Sequence, residues 1–275
     1  MQVDVGALRF SVHTAGADDG RPVLLLHGFP QSSLCWSRLA PLLNAAGLLT
    51  VAPDQRGYSP GARPAAVAAY ALPELVADAI GVLDALDLST VDVVGHDWGA
   101  VVAWQLAVRH PHRVRSLTAV SVPHPVALSA AMAGDADQRQ RSAYISLLRR
   151  EGEAEQVLLA DGALRLRELL TGSGLSEPDV DRYVTPLLEP AALTAALSWY
   201  RAITRTDAAL GPVEVPTTFV WSDGDTAIGR AAAQACAAEV SGPYHFVELT
   251  GVSHWVPEQA PVPLAEAVLA QVAAT

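Results

Sequence analysis

The chain has 275 residues, of which 51% are hydrophobic, and it carries a formal net charge of −11. This size suits one large domain with a sizeable core, and no run of about 18 apolar residues suggests a membrane span. All 18 basic residues are arginine, which excludes a Walker A phosphate loop and a pyridoxal-type Schiff base, because both need lysine. The negative charge opposes binding to nucleic acids or anionic membranes.

The opening 16 residues alternate apolar and polar side chains around Gly6, which predicts a β-hairpin rather than a signal peptide. We therefore expect a soluble, cytoplasmic protein. Cys35 and Cys236 lie far apart and form no CxxC motif, which favours free core thiols over a disulfide framework. The eight histidines show no metal-ligand spacing, so we expect no metal site.

Strands and helices alternate along the first part of the chain. The predicted elements after the hairpin are a strand at 22–26, a helix at 32–46, a strand at 48–53, a helix at 73–86, a strand from 91, a helix at 98–109 and a strand at 114–122. Pro73 fits the start of its helix, since a missing N–H costs little there. This alternation is typical of parallel strands joined by right-handed crossovers.

The pattern changes at about residue 123. Charged and small residues then follow helical periodicity without a clear strand, which predicts a helical insertion. Alternation resumes with a strand at 216–221, a helix from 229, a strand at 244–249 and a helix from 261. We therefore predict an α/β fold with a mostly parallel, doubly wound sheet. Its core is divided into residues 1–124 and 212–275 around a helical cap at 125–211.

A strand, a sharp turn and a helix meet at residues 95–99, which read GHDWG. Small residues flank Asp97, as they flank a nucleophile that is held on a strained turn. A carboxylate that attacks an acyl carbon gives an anhydride, so a carboxylate better suits displacement at saturated carbon, with an alkyl ester as the intermediate. The alternative is a plain helix N-cap, where Asp is also favoured. The two roles are compatible, because the helix N-terminus favours the ionised carboxylate.

Further candidates follow two later strands. Asp223 and Asp225 come after the strand at 216–221, and His254 comes after the strand at 244–249. Ligands collect beyond the carboxyl ends of strands in a doubly wound sheet, so these side chains can meet Asp97 there. Each of them is also compatible with a structural turn. Their joint order of nucleophile, acid and histidine favours a catalytic triad.

The chain resembles the α/β-hydrolase family over essentially its whole length, and within it the epoxide hydrolases. The stretches that carry the resemblance are 27–30 (HGFP), 54–59 (DQRGYS), 95–99 (GHDWG), the turn ending at Asp225, and 251–255 (GVSHW). The sequence departs from the family pattern at Gln55, where Leu is usual, and at Ser59, where Gly is usual. We expect these departures to affect the packing of the turn more than the chemistry. The resemblance implies Asp225, rather than Asp223, as the acid.

Two tyrosines extend the resemblance into the predicted cap. Tyr144 precedes a Gly-x-Ala-Glu-like stretch at 152–155, and Tyr200 lies in Ser-Trp-Tyr-Arg at 198–201, which is similar to an Asn-Trp-Tyr-Arg motif. A lone tyrosine more often packs in an amphipathic helix, but two matches in the expected order favour a functional pair. The other tyrosines are interpreted as structural: Tyr58, Tyr70, Tyr183 and Tyr244.

The resemblance implies a reaction that needs no cofactor. Asp97 attacks an epoxide carbon, Tyr144 and Tyr200 hold the ring oxygen, His254 activates water against the ester, and Asp225 orients His254. The backbone N–H groups of Phe29 and Trp98 are the implied oxyanion donors, and Phe29, Trp98 and Trp199 are the implied substrate contacts. The family also implies a cis bond before Pro30. The expected partner is a small-molecule epoxide, and the chain is expected to be a monomer or a homodimer.

Two alternatives remain at this point. A dehalogenase of the same fold also uses an Asp nucleophile, and the indole N–H groups of Trp98 and Trp199 are possible halide donors. The tyrosine pair argues against it, and fluoroacetate dehalogenases tend to carry Arg where this chain has Trp98. The second alternative is a non-catalytic relative that binds a small molecule. Such proteins often lack a member of the triad, whereas every position is filled here.

Overall fold

The computed structural model describes residues 1–204 and 209–275 of the chain. Within them an eight-stranded sheet has the order β1-β2-β4-β3-β5-β6-β7-β8. Strand β2 pairs antiparallel with both β1 and β4, and all later neighbours pair parallel. The strands are β1 Gln2–Val5, β2 Leu8–Ala15, β3 Arg21–Leu26, β4 Leu48–Pro53, β5 Val91–His96, β6 Val114–Val120, β7 Thr217–Ser222 and β8 Tyr244–Leu249. The prediction of a mostly parallel α/β sheet is confirmed.

The central strands are buried on both faces, as expected for a parallel sheet. Every residue of β5 and of β7 is buried. One charged residue interrupts the apolar run of β5: the Asp92 carboxylate accepts hydrogen bonds from Arg21, at 2.6 and 2.8 Å, and from the Ser116 hydroxyl at 2.7 Å. The carboxylate therefore stays paired inside the sheet, where an isolated charge would be costly.

Helices cover the sheet and follow the strands in sequence. Their bounds are α1 Ala40–Ala45, α2 Leu72–Ala85, α3 Trp98–Arg109, α4 Pro125–Gly134, α5 Ala136–Arg141, α6 Ile145–Leu148, α7 Glu153–Gly172, α8 Glu177–Leu187, α9 Ala192–Ala202, α10 Arg230–Ala235, α11 Val256–Gln259 and α12 Pro261–Ala273. Helix α1 contacts α12, while α2 contacts α3, and both groups contact strands of the sheet. Two groups of helices, α1 with α12 and α2 with α3, thus pack against the sheet.

One predicted helix differs in the structure. The stretch at 32–46 is a 3₁₀ segment at Ser33–Ser37 followed by the short helix α1. Pro41 lies in the first turn of α1, where its missing N–H is tolerated, but it cannot continue a helix that began at Ser33. The apolar periodicity crosses this break unchanged, which is why the pattern predicted one helix.

Six consecutive helices, α4 to α9, lie between β6 and β7 and span residues 125–202; we call them the helical segment. Its longest helix, α7, is kinked at 160–163, where three successive residues have positive φ values near 50–70°: Asp161, Gly162 and Ala163. The predicted end of the cap, near Gly211, comes after residues 205–208, which lie outside the described residues.

The two departures from the family pattern both make hydrogen bonds within the turn after β4. The side-chain amide of Gln55 donates to the carbonyl of His27, and its backbone N–H donates to the His27 ring at 3.1 Å. The Ser59 hydroxyl donates to the Asp54 carbonyl and accepts from the Ser11 N–H at 2.9 Å. The two side chains therefore join the turn to His27, which follows β3, and to Ser11 of β2.

Both cysteines are buried and free, as the sequence predicted. In residues 1–204 and 209–275, no helix combines the length and the apolar character that crossing a membrane requires. The same residues contain no group of three His, Cys, Asp or Glu side chains that could hold a metal ion.

Candidate active site

Asp97 lies at the turn between β5 and α3, with φ 53° and ψ −121°. A non-glycine residue rarely adopts a positive φ, and such strain often marks a functional position. The flanking glycines are required by close backbone approach. A Cβ on Gly99 would lie 1.9 Å from the Leu26 carbonyl oxygen, and a Cβ on Gly95 would lie 2.3 Å from the Gly99 carbonyl oxygen. The turn therefore accepts only small neighbours around its carboxylate.

Two backbone N–H groups hold one side of the Asp97 carboxylate. The Phe29 N–H donates to Asp97 Oδ1 at 2.7 Å, and the Trp98 N–H provides a further backbone hydrogen bond. A Cβ on Gly28 would lie 2.1 Å from the same Oδ1, so glycine leaves the space the carboxylate occupies. The Phe29–Pro30 bond is cis, as predicted. The two predicted oxyanion donors therefore converge on Asp97.

The other carboxylate oxygen faces the histidine. His254 Nε2 lies 3.4 Å from Asp97 Oδ2. Burial disfavours the charge of Asp97, but the hydrogen bond and the attraction of His254 outweigh it and hold the pKa of Asp97 below its ordinary value. Although Asp97 occupies the N-cap position of α3, its side chain makes no capping hydrogen bond. The simple N-cap alternative therefore does not account for this carboxylate.

Asp225, and not Asp223, meets the histidine. His254 Nδ1 lies 2.9 Å from Asp225 Oδ2, while the N–H groups of Ala227 and Ile228 donate to Asp225 Oδ1 at 2.8 and 2.9 Å. Asp223 instead accepts a hydrogen bond from a backbone N–H in the loop after β8. The two backbone N–H groups thus hold the Asp225 carboxylate in the orientation in which Oδ2 faces the imidazole.

His254 lies between two carboxylates in a buried site. Burial alone would lower its pKa, but Asp225 and Asp97 together raise the pKa of His254 to about 10. The imidazole is therefore positively charged at neutral pH. This charge depends on Asp97, since loss of either carboxylate removes part of the stabilisation.

Tyr144 and Tyr200 lie close together on the side of the helical segment. Both line the same cavity, and the Tyr200 ring makes edge contacts with Phe29 and Trp98, at centroid distances of 5.4 and 5.0 Å. Burial is the main cause that raises the pKa of both tyrosines well above its ordinary value, and the charge of Asp97 adds to it. Both phenols are therefore protonated at neutral pH and can donate.

A cavity of about 310 Å³ lies between the sheet core and the helical segment. Most of its wall is apolar, and Asp97, His254 and both tyrosines are among the polar residues that line it. The residues that line it are Phe29, Asp97, Tyr144, Leu148, Glu168, Leu169, Gly172, Ser173, Tyr200, Thr226, Ala227, His254 and Trp255. A mostly apolar cavity with a few convergent polar groups is the usual form of a small-molecule site.

The two predicted indole contacts differ from the prediction. Trp199 is not among the lining residues; its ring N–H donates to the Arg56 carbonyl oxygen at 2.8 Å, and the side chain is 2% exposed. Trp98 is not among the lining residues either; its ring lies edge-on against the Tyr200 ring, with the centroids 5.0 Å apart. Neither indole therefore contributes to the cavity wall. Periodicity along α9 could not show this, because Trp199 and Tyr200 are adjacent and face different neighbours.

Sequence reasoning did not name several lining residues. Trp255 follows His254 directly, so its position in the loop was a usable signal. Leu148 and Leu169 come from α6 and α7, where nothing in the sequence distinguishes an apolar residue that faces a cavity from one that packs in a core. These apolar walls set the size and shape of whatever molecule enters.

The chain belongs to the alpha/beta hydrolase fold family, whose model matches residues 21–261. Among curated proteins it is 32% identical to Epoxide hydrolase A of Mycobacterium tuberculosis, over 97% of this chain and 95% of that protein. It is 30% identical to an AB hydrolase superfamily protein of Bacillus subtilis, with the same two coverages. Among solved structures, Epoxide Hydrolase A from Mycobacterium thermoresistibile matches with a TM-score of 0.87 and 26% identity, over 99% of this chain and 97% of that one.

Proposed function

We propose that the protein is an epoxide hydrolase that converts an epoxide to a vicinal diol through an alkyl ester on Asp97. The observation that carries the proposal is the pair of neutral phenols, Tyr144 and Tyr200, which share the cavity with that carboxylate. A leaving oxygen that stays attached to the substrate needs proton donors, and two phenols supply them. The similarity to proteins named epoxide hydrolases supports the same assignment.

The first step is displacement at carbon. One oxygen of the ionised Asp97 attacks an epoxide carbon, the C–O bond of the ring breaks, and a tyrosine gives its proton to the departing oxygen. The other carboxylate oxygen rests on the N–H groups of Phe29 and Trp98. The product is a neutral ester, and the proton lost by the tyrosine is replaced from the His254 imidazolium or from solvent.

The second step is hydrolysis of the ester, and it depends on a change in the charge of His254. Once Asp97 is esterified, its negative charge no longer stabilises the imidazolium, so the pKa of His254 falls from about 10. The neutral imidazole then takes a proton from water, which attacks the ester carbonyl. The developing oxyanion is stabilised by Phe29 and Trp98, and Asp225 holds the imidazolium that forms again. When the oxyanion collapses, the bond between the carbonyl carbon and the alkyl oxygen breaks, and the diol leaves with the proton of His254. The carboxyl group of Asp97 then returns its own proton to His254, which restores the starting ion pair.

This proposal gives each part of the chain a role. Residues 1–124 and 212–275 form the catalytic core with the triad of Asp97, Asp225 and His254, and residues 125–211 form a cap that supplies the phenols and much of the cavity wall. The cavity of about 310 Å³ suits a small-molecule epoxide with an apolar substituent. A dehalogenase would need indole donors that face the substrate, and neither Trp98 nor Trp199 is among the residues that line the cavity.

The test is a single turnover of styrene oxide in heavy-oxygen water, followed by mass analysis of the peptide that contains Asp97. The expected result is diol formation with label in the carboxylate of Asp97, because water attacks the ester carbonyl. Asp97→Asn should form neither diol nor ester, and His254→Gln should accumulate an ester heavier than the protein by the mass of the epoxide. Turnover without label in Asp97 would contradict the ester mechanism.

A further inference from the structure

Four buried side chains form a hydrogen-bonded row from the loop after β8, which carries His254, to the helical segment. We call Tyr183, Glu258, Gln31 and His96 the Glu258 network. The Tyr183 hydroxyl donates to Glu258 Oε1 at 2.6 Å, the Gln31 side chain also meets Glu258 Oε1, and Gln31 Oε1 lies 2.9 Å from His96 Nδ1. His96 Nε2 lies 2.8 Å from the backbone carbonyl oxygen of His254. The network therefore ends on the residue that activates water.

His96 determines which atoms of this network carry the protons. Burial lowers the pKa of His96 to about 4, so its ring is neutral and carries one N–H. Both ring nitrogens nevertheless face oxygen atoms, those of Gln31 and of His254. A neutral ring satisfies both contacts only if the Gln31 amide is turned, so that its NH₂ donates to Nδ1. The single N–H of His96 then lies on Nε2 and donates to His254.

Turning the Gln31 amide determines the protonation state that the Glu258 carboxyl group must have. The carbonyl oxygen of Gln31 then faces Glu258 Oε1, and two oxygens form a hydrogen bond only if one carries a proton. Glu258 is 6% exposed, and its second oxygen, Oε2, has no hydrogen-bond partner. An unpartnered carboxylate oxygen at this depth is costly, whereas the carbonyl oxygen of a neutral acid is less so. Burial also raises the pKa of Glu258 to about 7.

We propose that Glu258 is a positioning residue whose neutral carboxyl group fixes the orientation of Gln31 and thereby directs the N–H of His96 to the backbone carbonyl of His254. The proposal rests on the two-step reaction described above and concerns only its second half. Displacement uses Asp97 and the two phenols, none of which belongs to the network. Hydrolysis uses the His254 ring, whose placement the network controls, so a disturbed network should slow hydrolysis selectively.

The charged and titratable surroundings of Glu258 favour the neutral acid. The groups around it are Tyr183 and Asp179 from α8, and Gln31, Cys35 and Arg38 from the stretch after β3. Asp179 and Cys35 do not stabilise a negative charge. Arg38 donates to the backbone carbonyl of Glu258 rather than to its carboxyl group, and it forms its ion pair with Asp179. No cation among the described residues therefore pairs with the Glu258 carboxyl group.

The test compares two substitutions that separate shape from ionisation. Glu258→Gln keeps the shape, offers a donor to Gln31 and cannot ionise, whereas Glu258→Leu removes the hydrogen bonds. A matched control is Gln271→Leu, which removes a different buried side-chain hydrogen bond, to Thr218. Rapid-quench mass analysis with styrene oxide measures ester formation and ester decay separately. Thermal unfolding checks that each variant is folded.

The expected result is that Glu258→Leu slows ester decay by about 10- to 100-fold, the effect of a misplaced reacting group, while ester formation changes by less than about twofold. Glu258→Gln should keep the hydrolytic rate. In the unsubstituted protein that rate should fall as the pH rises through about 7, where Glu258 ionises, and this fall should vanish in Glu258→Gln. Equal slowing of both steps, no slowing, or a Gln variant as slow as the Leu variant would overturn the proposal.

A second measurement does not depend on activity. Nitrogen-15 NMR of labelled histidine, assigned with a His96→Gln variant, should show His96 as a neutral ring protonated at Nε2 in the unsubstituted protein and in Glu258→Gln. A ring protonated at Nδ1, or an imidazolium, would refute the inferred network even if no epoxide is turned over. Failure of the proposed reaction would instead appear as absence of the ester in the unsubstituted protein, with the His96 tautomer unaffected.

Discussion

The tyrosine pair gives the sharpest prediction, because replacing each phenol by phenylalanine removes a proton donor and little else. A hydrogen bond to a developing charge contributes about 1.5–3 kcal/mol, and about 1.4 kcal/mol corresponds to a factor of ten in rate. Tyr144→Phe or Tyr200→Phe should therefore slow ester formation by about 10- to 150-fold. Both phenols line the same cavity, so the remaining phenol can still give a proton.

The double variant has no phenol at the ring oxygen. Its loss should be at least the sum of the two single effects in free energy, about 3–6 kcal/mol, or about 10²- to 10⁴-fold. The assay is stopped-flow tryptophan fluorescence under single-turnover conditions, which uses Trp98 and Trp255 beside the site. Ester decay should be unchanged, since it depends on His254.

The matched control is Tyr244→Phe. Tyr244 lies on the edge strand β8, outside the residues that line the cavity, so both steps should keep their rates. The reasoning would be refuted if the single variants formed ester at the original rate, or if their loss fell on ester decay instead. It would also be refuted if the double variant were no slower than either single variant.

Four further predictions follow from the geometry. Nitrogen-15 NMR should find His254 charged up to a pKa of about 10, and Asp97→Asn should lower that pKa, because one of the two stabilising carboxylates is gone. Since the folded-state pKa of His254 lies above its unfolded value of 6.5, this stabilisation is complete below pH 6.5 and is lost as the pH rises through about 10. Denaturant unfolding at several pH values should find that His254→Gln removes this loss. Gly99→Ala should lower the free energy of unfolding by about 2 kcal/mol or more, since its Cβ would overlap a backbone carbonyl, whereas Gly134→Ala, with nothing within 4 Å, should not. Trp199→Phe should lower the free energy of unfolding by about 1 kcal/mol, because it removes one hydrogen bond, and should leave KM unchanged. A raised KM would show that the Trp199 indole contacts the substrate.

The fold class followed from local pattern. Apolar runs, turn residues and helix starts recur along the chain with the periods of strands and helices, so the order of elements could be predicted without any contact. The break at Pro41 shows the limit, because the apolar period passes through it while the backbone does not. Strand order across the sheet, in which β3 lies between β4 and β5, is set by non-local pairing.

The sequence alone indicated the side chains to which we assign the proposed chemistry. The signal was an aspartate on a strand-to-helix turn, followed along the chain by an acid and a histidine. This signal depends only on residue type and order, which the sequence provides. Only the tertiary structure decided that Asp225 rather than Asp223 meets His254, and that the ring N–H of Trp199 is used against Arg56 instead of lining the cavity. Neighbours in sequence share a composition but point in different directions, and direction is fixed by packing.

The Glu258 network could not be predicted from the sequence for the same reason. Its members come from four separate stretches of chain, and the distance between Gln31 and Glu258 along the chain is 227 residues. The residue types reveal that a carboxyl group, an amide and an imidazole exist, but not that folding excludes water from around them. Whether a carboxyl group is charged or neutral depends on that exclusion and on its partners, and both arise only when the chain is folded.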